Sequence, residues 1–271
     1  MKRYFTILAA ASILLCGCNA ETAEVSALVK TITVSGSAIN NNTITATLTY
    51  DDQQRLVEYE VSGTEEGSQD AFRTLTQEVT YEEGTITVSG PDMYFKYNLN
   101  AEGWPIDCKI RSGVDGEWLQ FESYEWSDSY PTLIDNDYFP IREACTWEDG
   151  NLTRLDYKGQ FAMQTITNYS YQDVAAGCNI PIWMFTYPND LLTELNLNWF
   201  LLPGTLCAKL IYQAEESQYD WDTDDWVPSG KTTYYYDLDK AGRISSIKAV
   251  TAIDGDEDAS QEQVAFWKFT Y

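Results

Sequence analysis

Histidine is absent from all 271 positions. That removes the commonest general base near neutral pH, the commonest zinc ligand, and any Ser-His or Cys-His couple, and with them most hydrolytic mechanisms that rest on an activated nucleophile. Positive charge is scarce as well: 17 Lys and Arg stand against 42 Asp and Glu, a formal net charge of −25. Such a surface repels phosphate backbones, and no basic run offsets it, so nucleic acid is not an expected partner. Long apolar runs are also missing. Phe5 to Leu15 is too short for a membrane-spanning helix, which needs about 20 apolar residues, and no later stretch is longer.

That short run has a different reading. Lys2 and Arg3 precede it and Leu15-Cys16-Gly17-Cys18 follows it, the order of a secretory signal with a lipoprotein processing site. Residues 1–17 are therefore expected to be a signal peptide and Cys18 the lipidated first residue, with 18–24 a tether and 25–271 a single β-rich domain. The expected partner is a membrane, reached through lipid on Cys18, and the expected place is the outer membrane of a bacterial envelope, on its periplasmic or its outer face.

Four further cysteines, Cys108, Cys145, Cys178 and Cys207, are far apart in sequence. In an exported chain they permit two disulfides with three connectivities, or they serve as small buried apolar residues. Their spacing does not fit a zinc knuckle.

Aromatic residues make up 14% of the chain, and strand signals dominate. Val25 to Val34 and Thr43 to Tyr50 alternate apolar and polar residues around an Asn40-Asn41-Asn42 turn. Met93 to Leu99 and Trp104 to Arg111 repeat the pattern, with Ile106, Cys108 and Ile110 expected on one face. Asp149-Gly150 is a strong hairpin dipeptide. The clearest hairpin runs from Tyr234 to Ile247, with Gly242 supplying the positive φ of its tip. Ser127 to Pro140 reads as irregular, Gln213 to Ser229 as an acidic arm, and Asn189 to Leu195 as the one short helix. The expected fold is all-β: an antiparallel hairpin meander rolled into a strongly curved sheet or a water-soluble barrel-like form.

Tyr50-Asp51 with Arg55-Leu56, Trp147 through Leu152, and Tyr236-Asp237 with Gly242-Arg243-Ile244 resemble the tyrosine-aspartate (RHS-like) hairpin repeats of large secreted toxin-associated proteins. Together with the leader, the chain resembles an uncharacterised Bacteroidales lipoprotein family with a porin-like fold. That resemblance implies a β-barrel architecture and supplies no catalytic residues. An outer-membrane pore is not expected, because the strand faces mix Thr, Glu, Lys and Tyr where lipid requires an apolar band.

Three constellations bear on chemistry. Asp220, Asp222 and Asp224 alternate as in a calcium loop, but Asp225 and Lys231 occupy the places where an EF-hand needs Gly and Glu. A looser Ca²⁺ site there is the minor alternative to an exposed acidic tip, and no cofactor is expected. Trp221 and Trp226, beside Asp222 and Asp224, could stack on sugar rings while the carboxylates accept hydroxyl hydrogen bonds, or they could pack into the core as tryptophans commonly do. Paired carboxylates could also act as acid and base on a glycosidic bond, although the sequence selects no pair. The expected role is a non-catalytic envelope protein that binds a ligand such as a glycan. The alternatives are a structural or assembly component and a glycosidase-like hydrolase.

Overall fold

The computed structural model describes residues 28–64, 71–137, 140–159, 163–176, 206–253 and 262–271. The expected leader, Cys18, the tether, the helix at Asn189 to Leu195, and Cys178 lie outside the described residues. Within them the chain forms sixteen strands. These are β1 Thr31–Ser35, β2 Thr43–Tyr50, β3 Leu56–Thr64, β4 Ala71–Glu82, β5 Thr85–Ser89, β6 Met93–Leu99, β7 Pro105–Ser112 and β8 Leu119–Ser127. They continue as β9 Tyr130–Asn136, β10 Ile141–Glu148, β11 Asn151–Lys158, β12 Gln164–Ala175, β13 Lys209–Asp220, β14 Asp225–Leu238, β15 Ile244–Ile253 and β16 Gln263–Thr270. One 3-10 turn, Ser37–Ile39, follows β1.

Each strand pairs antiparallel with its sequence neighbour, and β1 closes the ring against β16, with Ile32 opposite Phe269 and Val34 opposite Trp267. The expected all-β meander is therefore a closed barrel. Closure leaves no sheet edge open to pairing with another chain.

The alternation decides which face is buried. Ile32, Val34, Ile44, Ala46, Val88 and Trp267 are fully screened from solvent and belong to one apolar core. Thr47, Glu60, Thr76 and Glu78, of opposite parity, are exposed. An outer-membrane barrel carries its apolar residues outward and lines its lumen with polar ones; here the order is reversed. Each fully buried Ile, Val or Phe contributes roughly 1.5–3 kcal/mol, so the interior drives closure.

One device recurs around the ring. The Tyr50 hydroxyl donates to the Val29 carbonyl at 2.9 Å, Tyr81 to Leu56 at 2.9 Å, Tyr171 to Leu152 at 2.5 Å, Tyr236 to Ile211 at 2.8 Å and Tyr271 to Ile244 at 2.9 Å. The indole N–H groups of Trp126 and Trp147 do the same to Pro105 at 2.5 Å and Pro131 at 2.8 Å. Six of these acceptors, Leu56, Pro105, Pro131, Leu152, Ile211 and Ile244, stand directly before a bulge in which Val57, Ile106, Thr132, Thr153, Tyr212 or Ser245 is skipped by the register. A bulge disrupts the ladder locally, and a carbonyl left there needs a partner. The aromatic residue near the end of the next even-numbered strand supplies it.

Ile106 shows the consequence of this arrangement. It is skipped between the Asn98–Asp107 and Leu99–Pro105 pairs, so Pro105 takes the inward place and Ile106 is 46% exposed. Only Cys108 and Ile110 of the expected apolar trio are buried. The supposedly irregular Ser127 to Pro140 contains β9, and the supposed arm from Gln213 to Ser229 is β13 and β14 paired as a hairpin. The Asn40 and Asn41 turn is present, with φ of 56° and 58°. Cys108, Cys145 and Cys207 are buried free thiols, so the structure favours the small-apolar reading over disulfides for these three.

The tips are governed by local chemistry. Asp51 Oδ1 accepts from the Gln53 and Arg55 amides, Asn100 Oδ1 from Glu102 and Trp104, and Asp239 Oδ1 from Ala241 and Arg243. In the resembled repeat the tip acid would be Asp237, but Asp237 lies inside β14 and Asp239 holds the turn. The second Asp239 oxygen binds the Arg243 guanidinium at 2.6 Å, so both side chains are engaged in forming the turn.

Candidate functional site

The long β13–β14 hairpin carries the expected binding residues to one tip. Its outer part, Tyr219 to Trp226, runs beyond the register shared with β12, whose last pair there is Thr165–Gln218, and beyond that shared with β15, which begins at Gly230–Ile253. Odd-numbered strands all run the same way, so this tip lies at the end of the barrel opposite the start of β1.

Three rings gather there. Tyr219 meets Trp221 edge-to-face at 4.7 Å and Trp226 edge-to-face at 5.3 Å. Trp221 is 58% exposed and Trp226 38% exposed, so indole surface is left open to solvent. Tyr219 was not among the expected site residues, although the sequence places it directly before Asp220; its role depends on the alternation across the hairpin, which brings it opposite Trp226.

The carboxylates have separate tasks. Asp220 accepts from the Asp222 amide and the Thr223 hydroxyl, both at 2.9 Å, and the backbone bond from Asp222 is the first cause holding its carboxyl below the usual range. Asp224, in left-handed backbone at φ 57°, accepts the Tyr219 hydroxyl and so pushes that phenol's pKa upward. Asp222 lies between them on the exposed tip. Among the described residues no three acidic, His or Cys side chains converge to hold a metal. The tip therefore brings together Trp221, Trp226, Asp222 and Asp224 as a surface of rings and acceptors, with Asp220 used to shape the turn.

A second polar cluster lies within the barrel wall. Glu122 accepts from the Tyr124 hydroxyl and, at 3.2 Å, from Asn136 Nδ2; burial raises its carboxyl pKa, and the two hydrogen bonds only partly offset that. Its hydrogen-bond partners are a phenol and an amide. At the opposite end from the aromatic tip, an open cleft of about 250 Å³ is lined by Ser127, Asp128, Tyr130, Thr132, Trp147, Asp149 and Gly150. There Tyr130 and Trp147 stack on each other at 4.7 Å, and the Trp147 N–H donates to the Pro131 carbonyl beside the bulge.

The sequence matches no known protein family and no curated protein. Among solved structures it is similar to a porin-like protein from Bacteroides uniformis ATCC 8492, with a TM-score of 0.66 and 18% identity over 89% of this chain and 97% of that one. It is also similar to a porin-like protein from Bacteroides vulgatus ATCC 8482, with a TM-score of 0.58 and 13% identity over 90% of this chain and 98% of that one. At these identities the likeness concerns the fold.

Proposed function

We propose that this protein is a lipid-anchored, non-catalytic envelope barrel that stands in water and presents the Tyr219, Trp221 and Trp226 tip to a ligand, a glycan by its chemistry. The single observation that carries the reading is the exposed ring cluster at the end of the barrel away from β1. A lipid on Cys18 would enter from the β1 side, so the rings would face away from the membrane. Sugar rings stack on exposed indole faces, and a carboxylate such as Asp222 accepts their hydroxyl hydrogens. The polar outward faces of the strands support a barrel in water and not one set in lipid.

The test is a glycan array with a soluble form that begins after Cys18, which keeps every described strand. Binding lost in Trp221→Ala and Trp226→Ala, with the thermal midpoint retained, supports the reading. If no glycan binds and Trp221→Ala is silent, the structural or assembly role replaces it.

A further inference from the structure

A chain with 17 basic and 42 acidic residues nevertheless gathers cations at one place on its outer wall. Phe95, Tyr97, Cys108 and Ile110 point inward on β6 and β7, so Tyr94, Lys96, Lys109 and Arg111 point outward. Lys96 and Lys109 are directly opposite each other, and Tyr94 is opposite Arg111. Like charges facing each other across a ladder are destabilising. The other facing cations, Arg142 and Lys158, differ because Arg142 also faces Asp135 on β9. On the far sides of the Lys96–Lys109 couple stand Thr87 and Gln120, neither of them acidic.

Arg111 is held differently from the three arginines that form ion pairs. Arg55, Arg154 and Arg243 each bind a carboxylate at 2.6–2.7 Å. The Arg111 guanidinium instead lies over the Tyr94 ring at 4.6 Å and the Trp118 ring at 4.7 Å, and its buried Nε has no hydrogen-bond acceptor. Among the described residues, none of the ion pairs involves Lys96, Lys109 or Arg111. The nearest acid along the strand, Asp107, receives Asn98 Nδ2 at 2.6 Å.

We propose that Lys96, Lys109 and Arg111 form a second binding site, separate from the aromatic hairpin, that takes the carboxylate or sulfate groups of an acidic saccharide. A guanidinium held over two rings keeps its terminal Nη donors for an oxyanion, and two opposed ammonium groups can share one anion. The hydroxyls of Thr87 and Ser89, opposite Lys96 and Tyr94 on β5, extend the donor surface. The site is an open strand surface, which suits an extended chain of rings. The net charge of the protein does not forbid this, because the Debye length is about 8 Å at 0.15 M salt and screens the more distant acids. Nucleic acid, with a charge about every 1.7 Å of duplex, meets the surrounding acidic surface over a longer span.

The experiment uses the full chain purified in detergent at 0.15 M salt, with Trp fluorescence and calorimetry as readouts. The probes are hexagalacturonate, a heparin hexasaccharide, neutral maltohexaose, a short DNA duplex, and dihexanoyl phosphatidylglycerol below its micellar concentration. The expected result is binding of one or both acidic hexasaccharides, at least tenfold weaker in Lys96→Gln/Lys109→Gln and in Arg111→Ala. Arg111→Lys, which keeps the charge but not the fork, should weaken it severalfold, and Trp221→Ala should leave it unchanged. Lys96→Glu relieves the like-charge couple, so it should abolish binding at an unchanged or raised thermal midpoint. The proposal is overturned if neither acidic saccharide binds, if the Lys96/Lys109 double variant binds as well as the parent, or if Trp221→Ala removes the binding. Equal binding of DNA or of the phospholipid, lost in the same variants, would overturn the saccharide assignment.

Discussion

The Tyr236 hydroxyl donates to the Ile211 carbonyl at 2.8 Å, joining β14 to the residue of β13 that stands directly before the skipped Tyr212. The same latch recurs at Tyr50, Tyr81, Trp126, Trp147, Tyr171 and Tyr271, so ring closure is reinforced at one end of every odd-numbered strand except β5. Burial raises the Tyr81 hydroxyl to about 12, so it remains a donor through the physiological range. Replacing one such tyrosine, as in Tyr236→Phe, leaves a carbonyl without its donor and should cost about 1 kcal/mol. That corresponds to a thermal midpoint lower by roughly 2–4 °C for a chain of this size. Tyr81→Phe and Tyr236→Phe lie on well-separated strands, and their combined loss in a denaturant titration should equal the sum of the two.

Gly36 sits where the barrel closes. Its φ is 124°, and a Cβ there would overlap the Val264 carbonyl oxygen. Gly84 also has positive φ, 72°, but open space around it. Gly36→Ala should therefore cost at least about 2 kcal/mol and Gly84→Ala about 1 kcal/mol, from backbone strain alone. Urea midpoints of the two variants measure the difference, and equal losses would show that the clash with β16 is relieved by local movement.

The tips make stability depend on acid. The Arg243 side chain, then its amide, hold the Asp239 carboxyl below its usual range; the Arg55 amide leads the same effect at Asp51. A lowered native value means that the stabilisation is present above the unfolded value of about 3.9 and is lost as pH falls through the native value. Asn100 builds the same turn without charge. Asp51→Asn/Asp239→Asn should consequently keep the hairpins, lower the midpoint at pH 7, and close the gap to the parent as the pH falls below about 4. Circular dichroism melts across that window provide the comparison.

Glu122 has the opposite sign. Burial raises its native carboxyl above the unfolded value, so its contribution is full below about 4.3 and declines as pH rises through the native value. Glu122→Gln keeps a carbonyl oxygen to accept from Asn136 Nδ2, turns its own NH2 toward the Tyr124 hydroxyl, which can accept, and removes the buried charge. It should melt higher than the parent at pH 7 and approach it near pH 4. A variant that melts lower at neutral pH would mean that the charge itself supports the cluster.

Buried thiols behave as small apolar groups, and burial pushes the Cys108, Cys145 and Cys207 thiols up. These three should resist alkylation in the native protein and react after denaturation, with mass spectrometry as the readout.

Much of this was legible in the chain. Thr-Ile-Thr-Val-Ser at β1 and again at β5 announces a strand with one apolar face, and Asp149-Gly150 announces a hairpin, whose two residues do take φ of 50° and 76°. The Trp221 and Trp226 tip was legible only as a choice, because tryptophans among aspartates fit core packing as well as a binding surface, and it is the reach of the hairpin beyond its neighbours that leaves the rings exposed. The latches were not, since a donor near the end of one strand and a carbonyl beside a bulge are related only by register. The basic patch was hidden for the same reason: Lys96 and Lys109 are thirteen residues apart and become neighbours only when β6 and β7 pair.

Alternation with period two determined, by itself, that the chain forms antiparallel strands with one face to bury, and the absence of histidine determined that no imidazole serves as a base or ligand here. Only the tertiary structure decided that the sheet closes on itself with the apolar face inward. Closure is a relation between the first strand and the last: Val34 and Trp267 are each merely apolar in sequence, and only their pairing removes both sheet edges and seals the core between them.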